Sequence, residues 1–169
     1  MGNSRTLQKR GFTLIELLVV MAIASVLTSL SVLALSNSQH TAYEQSSLEI
    51  LISDLKLQQM KSMSGDTGLA TTTHVPFGIY FQTDSYTLFR GPSYDPNDPT
   101  NFSVELEKAL TFSSVTIPGS ELLFEKGSGE ISGFTEGQNT IVIANKVTGQ
   151  QITITLNRYG VISSLAYAQ

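Results

Sequence analysis

The sequence predicts an α+β protein, with a long N-terminal hydrophobic helix continuing into an amphipathic helix packed on an antiparallel β-sheet domain. Three observations predict it. From Phe12 to Leu35 there is one ionisable residue, Glu16, and neither proline nor glycine. An unbroken helix over that run is about 36 Å long at ~1.5 Å per residue, enough to cross a ~30 Å hydrocarbon core. From Leu48 to Met63 apolar residues recur at helical spacing, and beyond Gly68 the period becomes strand-like, broken by glycine and proline turns.

Residues 1–11 are polar and basic and fit a short leader outside the fold. Residues 12–35 form the span. Lys9 and Arg10 stand directly before it, and basic residues beside a first span hold that end in the cytoplasm. The bulk of the chain then lies outside. Glu16 costs a few kcal/mol in lipid, even on lenient insertion scales, and calls for a cationic partner that the span lacks. Ser25 and Ser29 form a small-xxx-small pair of the kind that lets helices approach, although ordinary tolerated serines explain them as well.

Gly11-Phe12-Thr13-Leu14-Ile15-Glu16, after the basic flank and before the apolar run, closely resembles the class III signal of type IV pilins and type II secretion pseudopilins. The resemblance implies that prepilin peptidase cuts between Gly11 and Phe12, and that Phe12 is then N-methylated. Glu16 becomes the fifth residue of the mature chain, where that family keeps a glutamate. The ammonium freed on Phe12 of one subunit is then the cation that Glu16 of a neighbour requires, so their pairing selects the assembly register. The implied partners are prepilin peptidase, other pilins or pseudopilins, and the inner-membrane assembly platform with its cytoplasmic ATPase, with membrane lipid around the helix before assembly. The implied localisation is the cytoplasmic (inner) membrane, single-pass with the soluble domain extracytoplasmic, then the pilus or pseudopilus. Leu33 stands where many pilins have a kinking proline, so an unbroken helix is expected there.

Residues 36–64 join the anchor to the soluble domain. After the polar Ser36 to Thr41, Leu48, Leu51, Ile52, Leu55 and Met63, with Gln59, share one helical stripe, while Ile50 and Leu57 lie on the opposite face. Ser64-Gly65-Asp66 is a stop signal. Residues 65–169 form the β-rich domain. Val75 to Gln82 and Tyr86 to Arg90 read as a hairpin. Residues 91–101, with three prolines, read as a loop. Phe102 to Leu106, Leu110 to Ile117 and Leu122 to Phe124 read as further strands. Thr140 to Ala144 and Gln151 to Leu156 form the cleanest hairpin, and Val161-Ile162-Ser163 is a last short strand. Ile152, Ile154 and Leu156 face one way there. Phe124 with Gly127, Ile152-Thr153-Ile154 and Gly160-Val161-Ile162 also resemble the GspH/FimT group of minor pseudopilins and minor pilins.

The chain has 169 residues, no cysteine and a formal charge of −4. Loss of residues 1–11 removes Arg5, Lys9 and Arg10 and no acid, leaving −7. Such a balance does not favour polyanion binding, and the absence of cysteine excludes disulfides. Asp95, Asn97 and Asp98 offer oxygen ligands of the kind calcium takes, but Asx turns explain the same residues. The Glu125 to Gly129 stretch lacks the lysine of a phosphate loop. His40 and His74 are far apart without a catalytic motif, and Glu105/Glu107 and Glu121/Glu125 read as exposed acids. The expectation is a structural subunit without catalytic residues, cofactor or metal, a minor pseudopilin or pilin of a type II secretion pseudopilus or type IV pilus. Two alternatives stand beside it. One is a DNA-binding minor pilin of a competence system, using Lys146, Arg158 and Arg90. The other is a Sec-secreted β-rich enzyme cleaved after Ala34-Leu35-Ser36.

Overall fold

A computed structural model describes residues 13–65 and 74–168, with side chains for all of these except 30–44. Two compact units divide the chain, Met1–Ala42 and Tyr43–Gln169. One helix, α1 (Leu14–Ser64), contributes to both. It runs through the polar stretch 36–41 and through Leu33 and Ala34 to Ser36 without a break. The long-helix expectation holds, with one continuous element in place of two consecutive stretches.

In the first unit every described side chain of α1, from Leu14 to Ser29, is exposed. Among the described residues no helix is long and apolar enough to cross a membrane. Part of the 12–35 run lies outside the described side chains.

The second unit carries eight strands: β1 (Phe77–Phe81), β2 (Ser85–Arg90), β3 (Phe102–Glu105), β4 (Leu110–Val115), β5 (Glu121–Phe124), β6 (Thr140–Asn145), β7 (Gln151–Leu156) and β8 (Ile162–Ala168). They form two antiparallel sheets of four, ordered β3-β2-β1-β5 and β4-β6-β7-β8. Every strand expected from period-2 alternation is present. The last one differs in extent, running on to Ala168 because β7 pairs with it as far as Gln151↔Ala168. A neighbouring ladder makes a strand of Ser164 to Ala168, which has no β-branched residue of its own.

One apolar cluster joins the two sheets to α1. Leu48, Leu51 and Leu55 meet Ile79 and Phe81 of β1, Leu122 and Phe124 of β5, and Ile141, Ile143, Ile152, Ile154 and Leu156 of β6 and β7. Phe112 of β4 crosses between the sheets, edge-on to Phe81 at 5.3 Å and to Tyr86 at 6.3 Å between ring centroids. The expected alternation in β7 holds, with Ile152, Ile154 and Leu156 buried.

The α1 stripe needs correction. Leu48, Leu51, Leu55, Gln58 and Ser62 are the buried positions, at alternating spacings of three and four, while Met63 is 52% exposed and Gln59 half-buried. Polar residues take the last two places because strand backbone faces them. Gln58 Nε2 donates to the carbonyls of Gly78 (2.8 Å) and Phe89 (3.2 Å), and Phe77 N–H donates to Ser62 Oγ at 2.8 Å. Ile50 is 49% exposed and Leu57 partly buried. The helix ends at Gly65, whose φ of +69° belongs to the left-handed region, with the His74 ring where a side chain at 65 would stand.

The proline-rich loop covers the face of the first sheet opposite to the core cluster. Tyr94 stacks on Tyr80 at 4.2 Å and meets Phe89 edge-on at 5.8 Å. Gly78 leaves room for that Phe89 ring, since a Cβ there would lie 2.4–2.7 Å from its atoms and 2.6 Å from the Leu122 carbonyl.

Candidate functional site

The candidate site is the N-terminal end of α1. Gly11 and Phe12 lie outside the described residues; Glu16 lies within them, in the first helical turn. Thr13 precedes the helix. Its Oγ1 accepts a hydrogen bond from the Glu16 amide at 3.3 Å, and its carbonyl accepts one from Leu17 N–H at 3.1 Å. Thr13-Leu14-Ile15-Glu16 is therefore a T-x-x-E cap, with the acid at the third helical position. The spacing is visible in the sequence, and reading Glu16 only as a stranded intramembrane acid passed over it. The cap is compatible with the pairing expected of Glu16: a carboxylate at the positive end of the helix dipole is stabilised locally and stays available to a further cation.

Below this turn the helix is apolar on all sides. Leu14, Ile15, Leu17, Leu18, Val20, Met21, Ile23, Val26 and Leu27 are each more than half exposed, and Val19 is 47% exposed. The hydroxyls interrupting this surface are turned back onto the helix. Ser25 Oγ donates to Ala22 O (2.8 Å), Thr28 Oγ1 to Ala24 O (2.7 Å) and Ser29 Oγ to Val26 O (2.8 Å). Their donors are satisfied without water, so Ser25 and Ser29 offer a small surface and no demand for a polar partner.

In the second unit polar contacts tie α1 to the strands and turns. Tyr86 Oη donates to Asp54 Oδ2 at 2.6 Å, and burial, with the Asp54 carboxylate beside it, pushes the phenol well above its ordinary range. Gln59 Nε2 donates to Gly129 O at 2.9 Å and to Tyr159 O. Gly127 N–H donates to Ser62 O at 2.8 Å. The Glu125 to Gly129 turn is thus a docking turn for α1.

The other residues singled out in the sequence do not converge. Glu105 lies on β3 and Glu121 on β5, at opposite edges of one sheet. His74 packs against Gly65, and the His40 side chain lies outside the described set. Asp95 and Asp98 close turns. Asp95 Oδ1 accepts from Asn97 N–H (2.9 Å), and Asp98 Oδ1 accepts from Thr100 N–H (2.8 Å) and Oγ1 (2.6 Å). The Thr100 donors, helped by Arg90, hold the Asp98 carboxyl below its usual range. Among the described residues no three His, Cys, Asp or Glu side chains are grouped as a metal site would need. The cations named for nucleic-acid binding face acids. Lys146 Nζ stands 2.8 Å from Asp84 Oδ1, Arg158 Nε lies 3.4 Å from Glu130 Oε2, and Arg90 acts on Asp98. The Lys146 hydrogen bond, with a second from Thr111, lowers the Asp84 carboxyl.

No curated protein and no solved structure matches the chain. The family model of the prokaryotic N-terminal methylation motif matches residues 7–32, which span the basic flank, the Gly11-Phe12 junction, the Thr13 cap, Glu16 and the apolar helix. At its N-terminus the chain therefore carries the signal of type IV pilin-like precursors, subunits that prepilin peptidase processes and that assemble with other pilins.

Proposed function

We propose that this chain is a minor pseudopilin or minor pilin, a structural subunit rather than an enzyme. In this reading prepilin peptidase cuts after Gly11, Phe12 is methylated, and the helix is held in the inner membrane with the β-rich unit outside. The observation that carries it is the all-round apolar, all-exposed surface from Leu14 to Leu27, led by one acid in a capped first turn. A water-facing helix has one apolar stripe; one that is apolar all round needs lipid or other helices about it. Transfer from lipid to a bundle of such helices changes its apolar environment little, so packing and the Phe12–Glu16 charge pair decide the register. The GspH/FimT-like assignment rests on the downstream residues: Phe124 in the core, Gly127 in the turn that docks on α1, and the Ile152-Thr153-Ile154 alternation.

Intact-mass analysis of the chain from its native membrane tests the reading. The expected species begins at Phe12 and carries one added methyl group. A terminus at Asn37, or a chain retaining residues 1–11 in cells with an active peptidase, would overturn it.

A further inference from the structure

Four strands lie at sheet edges: β3 and β5 in one sheet, β4 and β8 in the other. An open edge is a template for another strand unless it is short, charged, bulged or covered. Three of the four are blunted in these ways. β3 has four residues and ends in Glu105. β5 also has four; Ser132 N–H donates to Leu123 O at 2.8 Å and Phe124 bridges Ile131. β4 has an irregular register between Phe112 and Ser114, and Phe112 N–H is taken by Thr83 O at 2.8 Å.

β8 is different. It is the longest strand, at seven residues, with no charge and no proline, and all but Ile162 are exposed. Its single irregularity lies at its start, where Ser163 is extra between Ile162↔Leu156 and Ser164↔Thr155. From Ser164 to Ala168 the ladder with β7 is regular. Within that segment Leu165 pairs with Ile154 and Tyr167 with Ile152, which are core residues. Paired residues share a face. Leu165 and Tyr167 therefore sit on the core-facing side of the sheet, yet they are 40% and 71% exposed. Tyr167 also walls a hollow of about 260 Å³ with Leu110, Ile143 and Ile152.

We propose that β8 is a pairing edge for the β8 strand of a second copy, antiparallel about Ala166. Ser164-Leu165-Ala166-Tyr167-Ala168 alternates small and large residues symmetrically about its centre. With the two-fold axis at Ala166, Leu165 of each copy stands opposite Tyr167 of the other. Both exposed apolar side chains are then covered by cross-strand neighbours, while Ser164 meets Ala168 on the opposite face. Backbone amides and carbonyls that point away from β7 gain partners in the same step. No charge lies on either edge, so the net negative charge of the chain is not concentrated where the copies meet. A five-residue ladder buries less than the ~1,200 Å² of a stable interface. The pairing is accordingly weak in dilute solution and favoured where copies are held at high local concentration.

The chain has no cysteine, so one added thiol reports on one position. Directly opposed antiparallel residues have Cα atoms ~4.5–5.5 Å apart, within the ~4.4–6.8 Å that a disulfide spans. In this register residue 164 is ~13 Å from its own copy. The full-length Ala166→Cys and Ser164→Cys variants, mildly oxidised in the membranes of cells that make them, are compared on non-reducing gels. Disulfide-linked dimer is expected several-fold more abundantly for Ala166→Cys, and the excess is lost when Leu165→Ser and Tyr167→Ser are added. Equal dimer at both positions, no dimer from Ala166→Cys, or a conjugate with a different protein in place of the dimer would overturn the proposal.

Discussion

The hydroxyl of Thr13 accepts the backbone N–H of Glu16, so the one acid of the apolar run 12–35 is also the third residue of the capped first turn of α1. The helix cap and the charge pairing between subunits proposed above therefore meet in one residue, and substitutions separate them. Thr13→Ala removes the cap at about 1 kcal/mol of local helix stability and should leave incorporation into filaments near normal. Glu16→Gln keeps a residue suited to a capping box but no charge, and should lower incorporation by about tenfold or more if pairing with the Phe12 ammonium sets the register. Immunoblots of sheared filaments from cells producing each variant give the comparison. Equal losses for both would place the role of Glu16 in capping.

Gln58 is 2% exposed and binds two strand carbonyls. Gln58→Leu should destabilise the β-rich unit by about 2–3 kcal/mol, since similar volume is kept while two buried acceptors lose a donor. Gln58→Ala adds a cavity and should cost more. Chemical denaturation followed by circular dichroism ranks the two; a cost below that of an exposed Lys56→Ala change would show that the fork contributes nothing.

Tyr86 makes stability depend on alkaline pH. Its folded pKa lies above the unfolded value of 10.0, so the fold holds a proton that the unfolded chain releases. This contribution is fully present below pH 10 and is lost as pH rises from there towards the folded pKa, at up to ~1.4 kcal/mol per pH unit. Tyr86→Phe should cost about 1–2 kcal/mol at neutral pH, through the lost bond to Asp54. Between pH 10 and 11.5 the difference from the parent should shrink. Urea titrations across that range measure it, and a constant difference would contradict the assignment.

Gly160 and Gly119 share a left-handed backbone, with φ of +70° and +65°, but differ in surroundings. A Cβ at 160 would lie 2.7 Å from Gln59 Nε2 and 2.7 Å from Phe124 Cε1, whereas nothing lies within 4 Å of one at 119. Gly119→Ala should cost about 1–2 kcal/mol from backbone strain alone. Gly160→Ala should cost about 1–3 kcal/mol more, because it pushes on the helix contact and the core together. Thermal melts of the two variants should differ in that order; equal melting temperatures would mean that the Gln59 contact yields freely.

Much of the fold was legible in residue order because the relevant signals are local. A period of two marks β5, β6 and β7 cleanly, and β7, with Ile152, Ile154 and Leu156 inward, needs only its own residues to declare its face. Gln58 and Ser62 were illegible for the opposite reason. A polar residue on a helix reads as surface until a strand from fifteen or more positions away presents a carbonyl or amide to it. Met63 followed the apolar spacing and still ended outside, since the strands cover the face occupied by Ser62.

By itself the sequence determined the N-terminal signal, the basic flank before Gly11-Phe12, the single acid at Glu16 and the apolar run behind it, because processing and insertion act on a contiguous stretch. Only the tertiary structure decided that the strands divide into two sheets, that α1 docks through Gln58, Gln59 and Ser62, and that β8 extends to Ala168 as the last strand of its sheet. Those outcomes depend on which backbone groups meet across long loops. Hydrogen-bond satisfaction and burial are properties of neighbours in space, and no local period encodes them.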